Sequence, residues 1–201
     1  MKMRNTMLLV PALVAAVAVT ASAQSMAMDA KMDMSAKMTP GTVMVGGQAM
    51  YPSKDIVDNA VNSADHTTLV AAVKAAGLVE TLKGKGPFTV FAPTNAAFAA
   101  LPAGTVDNLL VPANKAALTK VLTYHVVAGK LDAAAIMAAI RKGHGTATLT
   151  TVSGGKLMAM MNGPRNVVLK DESGNVVSIS TYDVMQSNGV IHVVDHVLLP
   201  R

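Results

Sequence analysis

Residues 88–92 and 190–199 restrict most tightly how this chain can fold. The first stretch reads Phe-Thr-Val-Phe-Ala and stops at Pro93. The second reads Val-Ile-His-Val-Val-Asp-His-Val-Leu-Leu and stops at Pro200. Both are apolar and rich in β-formers, the pattern of a buried strand. An isolated strand is not stable, so residues 88–92 must join a sheet built by later parts of the chain.

The texture between them is helical first and β-like later. Residues 55–61 form a short helical candidate. A longer helix is expected from Asp65 as N-cap, with Leu69, Val73 and Ala76 at helical spacing and Gly77 as its stop. Residues 78–82 add a further helical turn. Thr94 can cap a short helix through Phe98. Helical pattern returns at 105–110 and again from Asn114, where Leu118, Val121 and Leu122 share a face. Residues 125–127 are extended, and Asp132 caps an Ala-rich helix reaching Arg141.

After Gly145 the period switches to two. Residues 147–152 and 156–161 flank Ser-Gly-Gly, and residues 167–170 and 176–179 flank Asp-Glu-Ser-Gly-Asn, two hairpin signals. Helices before antiparallel strands give an α+β class. The expected core contains Phe88, Val90, Phe91, Phe98, Leu101, Leu122, Ile191, Val193 and Leu198.

Residues 1–23 read as a secretory signal peptide. Lys2 and Arg4 form the basic start, residues 7–19 are apolar around Pro11, and Ala21-Ser22-Ala23 is a small-x-small cleavage site before Gln24. That apolar run is shorter than the roughly 20 residues a membrane span needs. No second long apolar run follows, so no span is expected after cleavage. An exported protein, periplasmic or extracellular, is the expectation. Cysteine is absent, so stability must come from the core rather than from disulfides. Without Lys2 and Arg4 the chain carries 15 basic against 12 acidic residues, with no basic block and six aromatics in all. Nucleic-acid binding would want a basic stripe and stacking aromatics, and is not expected.

Residues 24–52 read as a flexible arm ahead of a domain at 53–201. The arm is built from Met, Ala, Asp, Lys and Ser without an aromatic until Tyr51, and holds seven of the 15 methionines. Such a segment buries too little apolar surface to offset its ordering entropy. Met28 with Met32, and Met34 with Met38, would be i,i+4 pairs on a helix. With Met26 they offer soft thioethers suited to Cu(I). The competing reading is a spacer, or a sink for oxidants through sulfoxide formation.

Three separated motifs carry a family resemblance. They are Phe88-Thr-Val-Phe-Ala-Pro-Thr-Asn-Ala-Ala-Phe98, Tyr124-His125, and Ser187-Asn-Gly-Val-Ile-His-Val-Val-Asp-His-Val-Leu-Leu-Pro200. In this order, over residues 53–200, the chain resembles the fasciclin (FAS1) domain. The resemblance implies a wedge-shaped β-sandwich with a layer of helices packed against it. It also implies a secreted adhesion or binding module with no established catalysis, engaging a protein or a cell-envelope or matrix partner. By position it assigns partner binding to Tyr124, His125, Asp183 and Val184, with valine standing where the family has isoleucine. It gives Phe91, Pro93, Thr94, Phe98, Asn188, Gly189, His192 and Asp195 structural parts in the motifs. Asn95 stands where the family often has an acidic residue.

The residues themselves leave other uses open. Tyr124 and His125 can equally close a helix and enter the core, their polar tips bonded internally. Asn188-Gly189 reads as a turn in which glycine supplies positive φ. On a continuous strand His192 and His196 share a face opposite Asp195, but two imidazoles lack a third metal ligand. Ser187, His192 and Asp195 are near in sequence, which does not make a triad. His66 and His144 read as surface positions. No catalytic constellation and no resident cofactor are expected.

Overall fold

The computed structural model describes residues 40–201. The signal segment and Met26, Met28, Met32, Met34 and Met38 lie outside the described residues.

The fold begins before Ser53, contrary to the expected boundary. Strands β1 (Val43–Val45) and β2 (Gln48–Met50) form a hairpin, and Val45 and Met50 are buried in the core. Gly46 and Gly47, at φ 59° and 72°, supply the two positive values a tight hairpin turn needs. Three-residue strands are too short to show alternation, which is why composition alone reads them as arm. The following loop is tied down by Asn59, which exchanges hydrogen bonds with the Tyr51 backbone and reaches buried Gln186.

Six helices follow from α1 to α6, interrupted by β3. They are α1 (Ile56–Ala60), α2 (Thr67–Ala76), α3 (Val79–Lys83), α4 (Asn95–Ala99), α5 (Thr105–Leu110) and α6 (Lys115–Tyr124). Their ends obey the capping rules at Asp55 and Thr94, whose side chains accept from the amides of Asp58 and Ala97. Gly77 ends α2 in the left-handed region at φ 74°. Asp65 does not cap α2. It sits in a 3-10 turn, and α2 starts after His66 with no local side-chain cap. Asn95 supplies the cap from α4: its Oδ1 accepts from Thr68 N at 3.0 Å and its Nδ2 donates to Ala64 O at 2.8 Å. A remote cap leaves no mark at sequence spacing. His66, expected at the surface, is buried beside Ser63.

One seven-stranded sheet carries the rest. Its members are β3 (Phe88–Pro93), β4 (Val126–Ala128), β5 (Thr146–Thr150), β6 (Lys156–Asn162), β7 (Asn166–Lys170), β8 (Val176–Gln186) and β9 (Gly189–Val194), in the order β4-β3-β9-β8-β7-β6-β5. Helix α7 (Ala133–Lys142) connects β4 to β5 and is capped by Asp132 as expected. The sheet folds over until its two ends meet. Val127 bridges Thr151, and Val152 N donates to Val126 O at 2.7 Å. The expected β-sandwich with its layer of helices is present, built from one seven-stranded sheet folded over on itself.

The pairing of β3 with β9 is parallel, and the other pairings are antiparallel. Both faces of β3 and β9 are covered. Val90, Ala92, Ile191 and Val193 pack under the helices, whereas Phe91 and Val194 enter the space inside the folded sheet. That is why both stretches are continuously apolar rather than alternating. Phe88 and Leu101, expected in the core, are half-buried at its margin, and the other expected core residues are buried. Strand β9 stops at Val194, short of the expected end, and β8 runs on to Gln186 through bulges between Ile179 and Val184. A bulge breaks the two-residue period, so residues 180–186 do not read as strand.

Candidate binding site

Tyr124 and His125 close α6 and point inward. Tyr124 is wholly buried in the core inside the folded sheet. Its hydroxyl donates to Lys156 O at 2.8 Å and accepts from Glu172 N at 3.1 Å, joining α6 to two hairpins. Burial raises its phenol above the ordinary value. Tyr124→Phe keeps the shape and orphans those two backbone groups. It should cost about 1–3 kcal/mol, read as a lower urea midpoint with an unchanged slope.

His125 is equally enclosed. Its Nδ1 lies 2.8 Å from Val121 O and must donate; its Nε2 lies 2.9 Å from Leu198 N and must accept. Only the neutral ring with a proton on Nδ1 satisfies both partners. Burial pushes its pKa down from 6.5 to about 4.

Val184 is buried in the helical core. Asp183 is half-buried and stands at φ 55°, in the bulged part of β8. There its carboxylate accepts from Ala133 N at 2.7 Å, the first amide of α7, while Asp132 accepts from Ala135 N at 2.7 Å. Two carboxylates thus serve one helix N-terminus, where the helix dipole favours them. Of the four residues assigned to partner binding, Tyr124, His125 and Val184 are therefore interior. Their sequence pattern reports packing and capping. Only Asp183 touches solvent.

His192 occupies the centre of β9. It stacks on Phe91 at 5.7 Å between ring centres and meets the edge of Tyr182 at 6.1 Å. Its Nε2 donates to Leu131 O at 2.8 Å, and its Nδ1 accepts from Asp183 N at 3.4 Å. Burial lowers its pKa. Both nitrogens are committed to backbone, which leaves none for a triad or a metal. His196 does not share its face. Because β9 ends at Val194, His196 sits on an exposed bend, 3.0 Å from Asp195, whose carboxylate also accepts from Ser178 N. Among the described residues no group of three His, Cys, Asp or Glu side chains could hold a metal ion.

Asn188 and Gly189 act differently from a left-handed turn. Asn188 Oδ1 accepts from Ile56 N at 3.1 Å, and its Nδ2 donates to Leu82 O at 2.8 Å and Gly84 O at 3.3 Å. One side chain thus caps the start of α1 and the end of α3 while belonging to the turn before β9. The distances in sequence, 132, 106 and 104 residues, hide this from local pattern reading. Asn188→Ala should cost about 2–3 kcal/mol by orphaning these groups, measurable by urea denaturation. Gly189 does not have positive φ. Its lack of a side chain matters because a Cβ there would lie 2.1 Å from Phe88 O.

His125 also borders an apolar cavity of about 70 Å³ between the helices and β3. Leu69, Val73, Leu78, Leu82 and Val90 contribute to its wall.

These features define an α+β module whose polar motif residues are spent on its own backbone. The fasciclin domain model matches residues 64–200. The chain is 46% identical to Protein sll1483 of Synechocystis sp. over 163 residues, covering 81% of this chain and 82% of that one. It is 34% identical to immunogenic protein MPB70 of Mycobacterium bovis over 165 residues, covering 80% of this chain and 75% of that one. Its fold is similar to that of a FAS1 domain pair from the insect cell adhesion molecule fasciclin I. The TM-score there is 0.63 at 16% identity, over 73% of this chain and 51% of that one. The chain belongs to the fasciclin family.

Proposed function

We propose that this protein is an exported, non-catalytic binding module that engages a cell-surface, envelope or matrix partner. The observation that carries this reading is family membership across residues 64–200, in a fold shared with a domain pair of a cell adhesion molecule. The signal-peptide pattern of residues 1–23 supports export to the periplasm or beyond it. Among the described residues no helix is long and apolar enough to cross a membrane. Contact with the partner falls to exposed surface, with Asp183 as the one solvent-reaching member of the family's binding positions. Labelled protein starting at Gln24 should bind intact cells or envelope fragments saturably, and excess unlabelled protein should displace it. Purely linear, non-displaceable uptake on both materials would sink the proposal.

A second reading rests on the spacing of Met26, Met28, Met32, Met34 and Met38. Thioethers so placed suit Cu(I), which would make the arm a soft-metal site and the domain its carrier. Replacing these methionines by leucine should then abolish Cu(I) binding in a competition titration while leaving thermal unfolding unchanged. An unaltered Cu(I) affinity would remove this reading.

A further inference from the structure

The dipeptide Asn-Gly occurs twice in this chain, at 162–163 and at 188–189. In this pairing an asparagine is most open to attack by its own backbone, because glycine has no Cβ to shield the amide nitrogen that follows. The fold treats the two copies in opposite ways.

Asn188 is held. Its Oδ1 accepts from Ile56 N, and its Nδ2 donates to Leu82 O and Gly84 O. Gly189 is buried and paired with Phe88 at the head of the β3–β9 ladder. Carrying Asn188 Cγ onto Gly189 N would break all three side-chain bonds. Nothing comparable restrains Asn162. It is the last residue of β6, paired with Asn166, and it is exposed together with the turn of Gly163, Pro164 and Arg165. Among the described residues no hydrogen bond engages the Asn162 side chain or the Gly163 amide. Gly163 stands at φ 83°, with no atom within 4 Å of where a Cβ would be. Turning the Asn162 side chain and the Gly163 peptide plane toward each other costs at most the last rung of the β6–β7 ladder. Local fraying at a hairpin end supplies that motion.

We infer that Asn162 is a site of spontaneous deamidation. Gly163 N attacks Asn162 Cγ and the new C–N bond closes a five-membered imide. The side-chain nitrogen leaves as ammonia, taking the proton of the Gly163 amide. Water then opens the imide. Cleavage at Cγ gives aspartate. Cleavage at the main-chain carbonyl gives isoaspartate, with an added methylene in the backbone and a free α-carboxylate. Either product places a new negative charge two residues from Exposed Arg165's turn partner Gly163, and the isoaspartyl link disturbs only the rung between positions 162 and 166. The protein thus acquires a second charge form without losing its fold. This modification is independent of the binding role proposed above, and either can fail alone.

The test incubates mature protein starting at Gln24 at mildly alkaline pH, with and without unfolding urea, followed by trypsin and mass spectrometry. Residues 157–165 and 171–201 form separate tryptic peptides, and fragment ions locate the conversion in each. Folded protein should convert Asn162 at least about tenfold faster than Asn188, whose three hydrogen bonds must first break. In urea the two rates should converge, because the dipeptide is the same. Isoaspartyl methyltransferase should label the peptide of residues 157–165. Asn162→Gln, an exposed change that would need a slower six-membered closure, should remove the early acidic form on isoelectric focusing and keep the parent's urea midpoint. The inference is overturned if folded protein keeps Asn162 intact over a period in which unfolded protein loses it. Equal conversion of Asn162 and Asn188 in the folded protein would overturn it too.

Discussion

Gly189→Ala should leave no stably folded domain. Residue 189 pairs with Phe88 at the head of the parallel β3–β9 ladder, where Phe88 N also donates to Asn188 O at 3.1 Å. A single methyl group would sit 2.1 Å from Phe88 O and 3.1 Å from the side chain of Ile56. The first clash is with backbone and cannot be relieved by a rotamer change. Either the ladder separates at its start or Asn188 is dragged from its three backbone partners. The expected loss exceeds about 4–5 kcal/mol, a large share of the roughly 5–15 kcal/mol that holds a domain together. Circular dichroism and a urea titration of the variant decide the matter. A cooperative transition within about 1 kcal/mol of the parent would show that β3 and β9 do not approach as described.

Acid should unfold the domain through its histidines before its carboxylates titrate. His66, His125 and His192 are all buried with pKa values held down by that burial. Each is neutral in both states above about pH 6.5, so stability there is complete. Below it the unfolded chain takes up protons that the folded chain refuses, so stability falls as pH drops. For His125, whose folded value is about 4, the loss develops between about pH 6.5 and 4. It amounts to about 3 kcal/mol over that window. His66 and His192 add losses of the same sign. The geometry supports the direction independently: protonating His125 would aim a new N–H at the N–H of Leu198, and protonating His192 would aim one at the N–H of Asp183. Free energies from urea denaturation at pH 7.5, 6 and 4.5 should decline steadily. His125→Gln, which removes one titrating group, should flatten the decline. Equal stability at pH 7.5 and 4.5 would contradict the buried neutral histidines.

Much of this fold was legible in the sequence because it is locally encoded. The caps at Thr94 and Asp132, the stop at Gly77 and the two hairpins follow from side chains acting within a few residues. The obligation of β3 to join a later sheet followed from its being a lone apolar strand. What escaped reading acts across distance. Asn95 caps α2 from another helix, Asn188 caps two helices from a turn, and Asp183 reaches α7 through a bulge. None of these has a periodic signature. The candidate site was legible as a set of unusual residues and misleading as to their use. Tyr124, His125 and Asp183 stand out because their side chains bond the protein's own backbone, with Val184 packed in the core. The cavity could not be foreseen either, since apolar residues on α2 and β3 read alike whether they fill space or surround it.

Equilibrium binding of labelled protein to intact cells and envelope fragments, with Tyr124→Phe measured beside the parent, tests the adhesion role most directly. Binding should be saturable and displaceable, with the variant less stable to urea but equal in affinity, because Tyr124 is buried in the scaffold. A folded Tyr124→Phe protein that has lost binding would place the partner at Tyr124, and absent saturable binding by the parent would contradict the adhesion reading itself.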